Sequence, residues 1–138
     1  MMRYMLDTNI CIYLMRHQPP QVAERFARCT VGDVVMSVVT LAELRCGVSA
    51  RPEADRSRVS GVVDRLTRLV PPLDFDEDAA NTYATLWLAV RDRRRDALDR
   101  LIAAHAVAAD CVLVTNNLAD FQHYPGLRLE NWVTPSDH

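Results

Sequence analysis

The chain contains no lysine; all 16 of its basic residues are arginine. No lysine-dependent mechanism is open to it, and a receiver domain, which needs a late lysine, is excluded. Glycine is nearly as scarce, with four residues at Gly32, Gly47, Gly61 and Gly126, none of them in the glycine-rich turn that a P-loop or dinucleotide fold requires. The four cysteines, Cys11, Cys29, Cys46 and Cys111, form no CxxC pair and no zinc-type spacing. They read as small buried side chains in a reducing compartment rather than as a disulfide or zinc framework. No apolar run approaches the ~20 residues of a membrane span. The start Met1-Met2-Arg3-Tyr4-Met5-Leu6 lacks the long apolar region and the cleavage site of a signal peptide. A cytoplasmic protein without membrane contact is expected. An excess of one charge is also missing: a net charge of −2 gives no whole-molecule attraction to nucleic acid and leaves only a local basic patch for that purpose.

What is present suits one folded unit. A length of 138 residues, 49% hydrophobic and 25% charged, fills one core and not two, so a single domain over residues 1–138 is expected. Short apolar runs alternate with longer helical patterns, which predicts an α/β fold with helices layered on a mostly parallel sheet. The expected strands cover 3–7, 34–37, 73–75 (an edge strand), 111–115 and 127–132. The expected helices cover 9–15, 21–29, from Ser37 or Thr40 to about 48, 52–69, from an Asp76 cap to 90, and from an Asp96 cap to 109. A turn and short helix are expected over 116–122. Val59, Val62, Val63, Leu66 and Leu69 recur at helical period, against a charged face of Arg51, Arg56, Arg58, Asp64, Arg65 and Arg68.

The chemistry is carried by acids set in apolar sequence. Asp7 follows Tyr4-Met5-Leu6, Glu43 sits in Ser37-Val-Val-Thr-Leu-Ala-Glu43-Leu, and Asp99 in Leu98-Asp99-Arg100-Leu-Ile. A charge among apolar neighbours is costly to bury unless it is paired. Carboxylates gathered together resist joint ionisation, and a divalent cation reverses that sign. In a parallel sheet, sites form beyond the carboxyl ends of strands. Asp7 and the pair Asn116-Asn117 fall at such ends, and Glu43 and Asp99 fall in adjoining helices. Three carboxylates and an amide suit Mg²⁺ or Mn²⁺ and a cation-activated water for phosphodiester hydrolysis.

Each acid also has a structural alternative. Asp7 is a suitable N-cap, Glu43 completes a capping box with Thr40, and Asp99 favours the positive end of a helix dipole. His105 lies with Leu98, Leu101, Ile102 and Ala109 and reads as a core histidine with a backbone partner. The cluster Arg91, Arg93, Arg94, Arg95 and Arg100 is usually a solvated helix end. Beside Asp99, guanidinium forks there would also pair with phosphate oxygens.

Met5-Leu-Asp7-Thr-Asn9, Ser37-Val-Val-Thr-Leu-Ala-Glu43-Leu, Leu98-Asp99-Arg100-Leu-Ile-Ala-Ala-His105 and Leu113-Val-Thr115-Asn-Asn117 together resemble the PIN-domain family. More narrowly they resemble the VapC-type toxins of bacterial type II toxin–antitoxin modules, up to the ending Gly126-Leu-Arg-Leu-Glu-Asn-Trp132. The resemblance implies a three-layer α/β/α PIN-like domain and a metal-dependent endoribonuclease using Mg²⁺ or Mn²⁺. It also implies an RNA substrate, a homodimer and a cognate VapB-like antitoxin through which alone operator DNA is reached. By motif position Asp7, Glu43 and Asp99 are the catalytic and metal-binding acids. The fourth acidic position falls on Asn117, with Asp120 able to compensate, and Asn9 and Thr115 are the bordering polar residues. Arg94, Arg95 and Arg100 are the candidate phosphate contacts.

Two rivals differ in class. A haloacid dehalogenase-type phosphatase wants an aspartate two residues after the first, where this chain has Asn9. A regulatory scaffold that binds with an antitoxin on operator DNA, with weak or no nuclease activity, would not need all three acids. Alanine at Asp7 or Asp99 is expected to leave the fold intact and to relieve carboxylate repulsion.

Overall fold

The structure, a computed structural model, describes residues 2–92 and 97–134. Five strands, β1 (Arg3–Leu6), β2 (Val34–Ser37), β3 (Pro72–Leu73), β4 (Cys111–Val114) and β5 (Arg128–Glu130), form one sheet in the order β3-β2-β1-β4-β5. Every pairing is parallel, with Leu6 opposite Met36 on one side and Val114 on the other. The helices are α1 (Thr8–Arg16), α2 (Pro20–Ala27), α3 (Val38–Ser49), α4 (Glu53–Leu69), α5 (Glu77–Val90), α6 (Ala97–Ala108) and α7 (Leu118–Phe121).

β4 and most of β1 and β2 are apolar because both faces of the sheet are covered there. The pleat sends Leu6, Val34, Met36 and Val114 to one face, where Ile10, Leu14, Leu44, Val63 and Trp132 pack. Met5, Val35, Cys111 and Leu113 go to the other face, against Leu86, Val90, Ile102 and Phe121. This is the expected α/β/α sandwich, with α1–α4 over one face and α5–α7 over the other.

Differences from the expected bounds have local causes. β1 stops at Leu6 because Asp7, though its N–H still bonds the Val114 carbonyl at 3.0 Å, turns to cap α1 and brings Thr8 into the helix. β3 starts one residue earlier than expected and ends two earlier; it includes Pro72, tolerated on an edge strand that needs no outward donor. β5 ends at Glu130 rather than 132 because Asn131 Oδ1 accepts from the N–H groups of Val133 and Thr134, a turn that competes with the ladder. Ser37 caps α3 by accepting from Val39 N at 3.1 Å. Thr40 therefore stands inside the first turn, and the capping-box alternative for Glu43 falls away. The predicted Asp96 cap lies outside the described residues. Cys11 and Cys111 are buried as expected and Cys29 partly so, but Cys46 is exposed on α3. Among the described residues no helix is long and apolar enough to cross a membrane.

Candidate acid site at the switch point of the sheet

The strand order reverses its direction of growth at β1: the chain steps from β1 to β2 and β3, then returns past β1 to β4. In open parallel sheets the crevice at such a point, beyond the strand carboxyl ends, is where ligands bind. Asp7 leaves β1 there and Thr115 leaves β4 there.

Asp7 is only 6% exposed. Its Oδ1 accepts from Ile10 N at 2.9 Å, so the capping alternative is correct as geometry. It does not exhaust the residue's role. Burial, above all, raises the Asp7 pKa, and the nearby charge of Glu43 raises it further. Hydrogen bonds from the Thr115 side chain and from the main chain at Ile10 and Asn9 act in the opposite direction. A helix cap on a surface needs none of this desolvation. A carboxylate kept under such strain beside a second one is a feature of functional sites.

Glu43 projects from α3 toward the start of α1, where Thr8 Oγ1 donates to its Oε1 at 2.7 Å. Thr8 was not anticipated from sequence as a site residue; its hydroxyl, flanked by Asp7 and Asn9, was the available signal. Asp99 sits half-buried in the first turn of α6. Its neighbour Leu98 lines one cleft together with Val38, Ala42 and Glu43, which brings this end of α6 to the Glu43 face of α3.

The supporting polar residues form a chain leading outward from Asp7. The Thr115 side chain, fully buried, hydrogen-bonds Asp7, and Thr115 Oγ1 accepts from Asn117 N at 2.9 Å. Asn117 Nδ2 in turn donates to Asp120 Oδ2. The predicted Asn117 and Asp120 thus act as a pair at the exposed rim. Asn9 is exposed and reaches Asp7 through its main chain. Arg100 Nε donates to the Tyr83 hydroxyl of α5 at 3.5 Å, which directs that edge of the guanidinium along the helix pair. Arg94 and Arg95 lie outside the described residues.

The acids approach from three elements without closing on one point. Among the described residues no group of three Asp, Glu, His or Cys side chains stands close enough to form a metal-holding set. Glu43 is turned to the Thr8 hydroxyl. The donor set still fits a hard cation, because Mg²⁺ is commonly held by one or two carboxylates plus waters. Asp7 and Glu43, near enough for the charge of one to raise the pKa of the other, are two carboxylates of that kind. Thr8→Val, which keeps the shape and removes the donor, is expected to slow about tenfold the RNA cleavage that the sequence resemblance implies, with the fold retained, because Glu43 loses its preset orientation. Single-turnover rates beside a melting curve check this; an unchanged rate would show that Glu43 needs no such hold.

An apolar groove of about 290 Å³ runs between α1, α3 and α4. Ile12, Leu44 and Val63 line it, Arg16 and Arg58 flank it, and Glu43 is part of its wall, so groove and acid site share a residue.

Comparison with known proteins agrees with this fold. The family model for the PIN domain matches residues 4–127. The tRNA(fMet)-specific endonuclease VapC of Shigella flexneri is 38% identical over 136 residues, covering 96% of this chain and 99% of that one. Among solved structures, DNA-bound VapBC from Salmonella typhimurium superimposes with a TM-score of 0.87 at 32% identity, covering 96% of this chain and 99% of that chain. VapBC2 from Rickettsia felis, bound to a DNA fragment from its promoter, gives 0.84 at 31% identity, covering 95% and 99%. With the model spanning most of the chain and a buried acid at the switch point of its sheet, this protein belongs to the PIN domain family.

Proposed function

We propose that this chain is a metal-dependent endoribonuclease and the toxin of a type II toxin–antitoxin module, hydrolysing RNA phosphodiester bonds. The observation that carries the reading is Asp7: a desolvated carboxylate, strained further by Glu43, at the crevice where β1 and β4 part. Such an arrangement is costly for a scaffold and useful for a cation site. Asp7, Glu43 and Asp99 would hold Mg²⁺ or Mn²⁺. When bound, the ion would lower the pKa of a water and shield charge on the leaving oxygen. The chain's own residues do the rest: Thr115 and the α1 main chain orient Asp7, Thr8 orients Glu43, and the Asn117–Asp120 pair borders the entry. Arg100, with Arg94 and Arg95, would meet the backbone phosphates.

The partners follow from the same surfaces. The apolar floor between α1, α3 and α4 suits a peptide better than a polyanion, and a VapB-like antitoxin segment lying there would reach Glu43. The R. felis complex contains promoter DNA; with a net charge of −2, this chain would reach operator DNA only through its antitoxin. Exposed Trp87, Leu88 and Leu98 leave apolar surface for a homodimer, and a cytoplasmic location suits the RNA substrate.

The relative from S. flexneri makes initiator tRNA the first substrate to try. Purified chain with that tRNA and Mn²⁺ is expected to give a few discrete cuts, none with a chelator and none with Asp99→Asn. Cleavage that survives chelation, or intact tRNA and total RNA in the presence of folded protein and either ion, would refute the reading.

A further inference from the structure

Ser37 and His105 join the two helices that carry Glu43 and Asp99. Ser37 ends β2 and caps α3; it is completely buried, and its Oγ accepts from Val39 N. His105 of α6 is 3% exposed, with Nδ1 2.7 Å from that Oγ. The ring also hydrogen-bonds the main chain of Asp74, and Phe75 stands edge-on to it at 5.4 Å between centroids. A neutral imidazole has one N–H. With the Asp74 carbonyl taking it, Nδ1 is an acceptor and the Ser37 hydroxyl donates to it. Every polar atom of the pair is then satisfied, and a buried pair of this kind fixes one arrangement of the elements that carry it. His105 is therefore a core histidine, as its sequence setting suggests, with a side-chain partner besides the expected backbone one.

The placement gives the bond its meaning. Glu43 lies six residues beyond Ser37 and Asp99 six before His105, about 9 Å along each helix from the bond. At the acid end, Leu98 of α6 shares a cleft with Val38, Ala42 and Glu43 of α3. The helices are thus joined at this bond, with an open cleft between them at the acid end. The angle between them sets the separation of the two acids.

We infer that the Ser37–His105 hydrogen bond is a positioning device for the acid site, holding α3 and α6 at the angle that lets Glu43 and Asp99 serve the same cation. The inference rests on the metal-nuclease reading above. Neither side chain touches substrate; both act through the helices. The device needs a neutral imidazole. Burial lowers the His105 pKa and prevails over Asp76 and Asp74, whose charges raise it; Arg3 of β1 lines the same cleft. Protonation would make Nδ1 a donor and leave the Ser37 hydroxyl proton without its acceptor.

Mn²⁺ titration of the folded chain tests the device apart from turnover. Ser37→Ala removes bond and cap together, whereas Ser37→Gly removes the bond and keeps most of the capping. Both are expected to weaken Mn²⁺ binding about tenfold, the scale of an energetic coupling carried between sites by rigid elements. Ser37→Thr, which retains the hydroxyl, should stay near the native affinity. Ser37→Ala combined with His105→Phe should bind no worse than the weaker single variant. The ¹⁵N spectrum of the native chain should show His105 neutral with its proton on Nε2. Mn²⁺ affinity of Ser37→Gly within twofold of native, or losses that simply add in the double variant, would overturn the inference. If Asp7→Asn loses Mn²⁺ while Ser37→Gly keeps it, the positioning role alone fails. A native chain that binds no Mn²⁺ removes the metal reading and this inference with it.

Discussion

Asp7→Asn is expected to lower RNA cleavage by about 10³-fold or more, the scale of losing one preorganised electrostatic group at a reacting centre, while raising the thermal midpoint of the metal-free chain at neutral pH by about 3 °C. The two effects have one origin. Burial first, then the charge of Glu43, lift the Asp7 pKa above its ordinary 3.8, against the hydrogen bonds from Thr115, Ile10 and Asn9. A carboxyl whose pKa is raised on folding holds its proton more tightly in the native state. Its contribution to stability is complete below 3.8 and is lost as pH climbs through the folded value. At pH 7 the ionised group is therefore a net cost, which the amide removes. Asparagine also caps helices as well as aspartate does, so the bond to Ile10 N survives. Alanine is the poorer probe. The sequence alone suggested that Asp7→Ala would relieve repulsion without penalty, but the cap seen here costs about 1 kcal/mol to discard. Melting curves at pH 7 and near pH 4 separate the causes, because the gain should shrink as the native carboxyl takes up its proton. His105 follows the opposite sign, its pKa being lowered on folding. It is common to both proteins and cancels in the comparison. A midpoint that falls at pH 7, or cleavage that persists, would mean that Asp7 is a cap and nothing more.

The sequence spoke clearly where one residue type serves one purpose. The apolar runs at 34–37 and 111–114 are strands because both faces of the sheet are covered. Asp76 caps α5 through Ala79 N, as its place before the apolar helix indicates. It spoke ambiguously where one side chain does two things. Asp7 is both a cap and a buried acid of the site, and no spacing argument chooses between roles that coexist. Glu43 required tertiary information, since its partner Thr8 is distant in the chain and only the packing of α1 on α3 brings them together. The same holds for Ser37 and His105. One ends a strand and the other sits mid-helix, and their pairing depends on how α6 lies over β2 and α3. Loop chemistry was the other blind spot: the turn that shortens β5 is made by the Asn131 side chain accepting from Val133 N and Thr134 N, which the apolar pattern of the segment does not reveal.

The largest stability effect is expected far from the acids by sequence and close to them by connection. Trp132→Ala should cost about 3–5 kcal/mol, the usual range for emptying a buried aromatic site, and lower the midpoint by about 10–15 °C. Trp132 is 2% exposed and packs in the cluster of Leu6, Ile10, Met36 and Val114. Its ring meets Tyr4 edge-on at 5.7 Å, and the Arg25 guanidinium lies 5.2 Å from both ring centroids. Trp132 Nε1 donates to Glu130 Oε1 at 2.8 Å, and the same oxygen takes Arg25 at 3.2 Å. Removing the indole therefore opens a cavity and leaves Arg25 with one ring instead of two. Trp132→Phe keeps most of the volume and should lose far less. The consequence reaches the site because the Glu130 carbonyl accepts from Thr115 N at 3.0 Å, and Asn131 Nδ2 donates to Asn116 Oδ1 at 3.2 Å. The segment clasped by Trp132 thus holds the loop whose Thr115 supports Asp7. Measured well below its lowered midpoint, Trp132→Ala should cleave RNA more slowly than Trp132→Phe, in step with weaker Mn²⁺ binding. Equal rates in the two folded variants would confine the clasp to stability and leave Thr115 held by β4 alone.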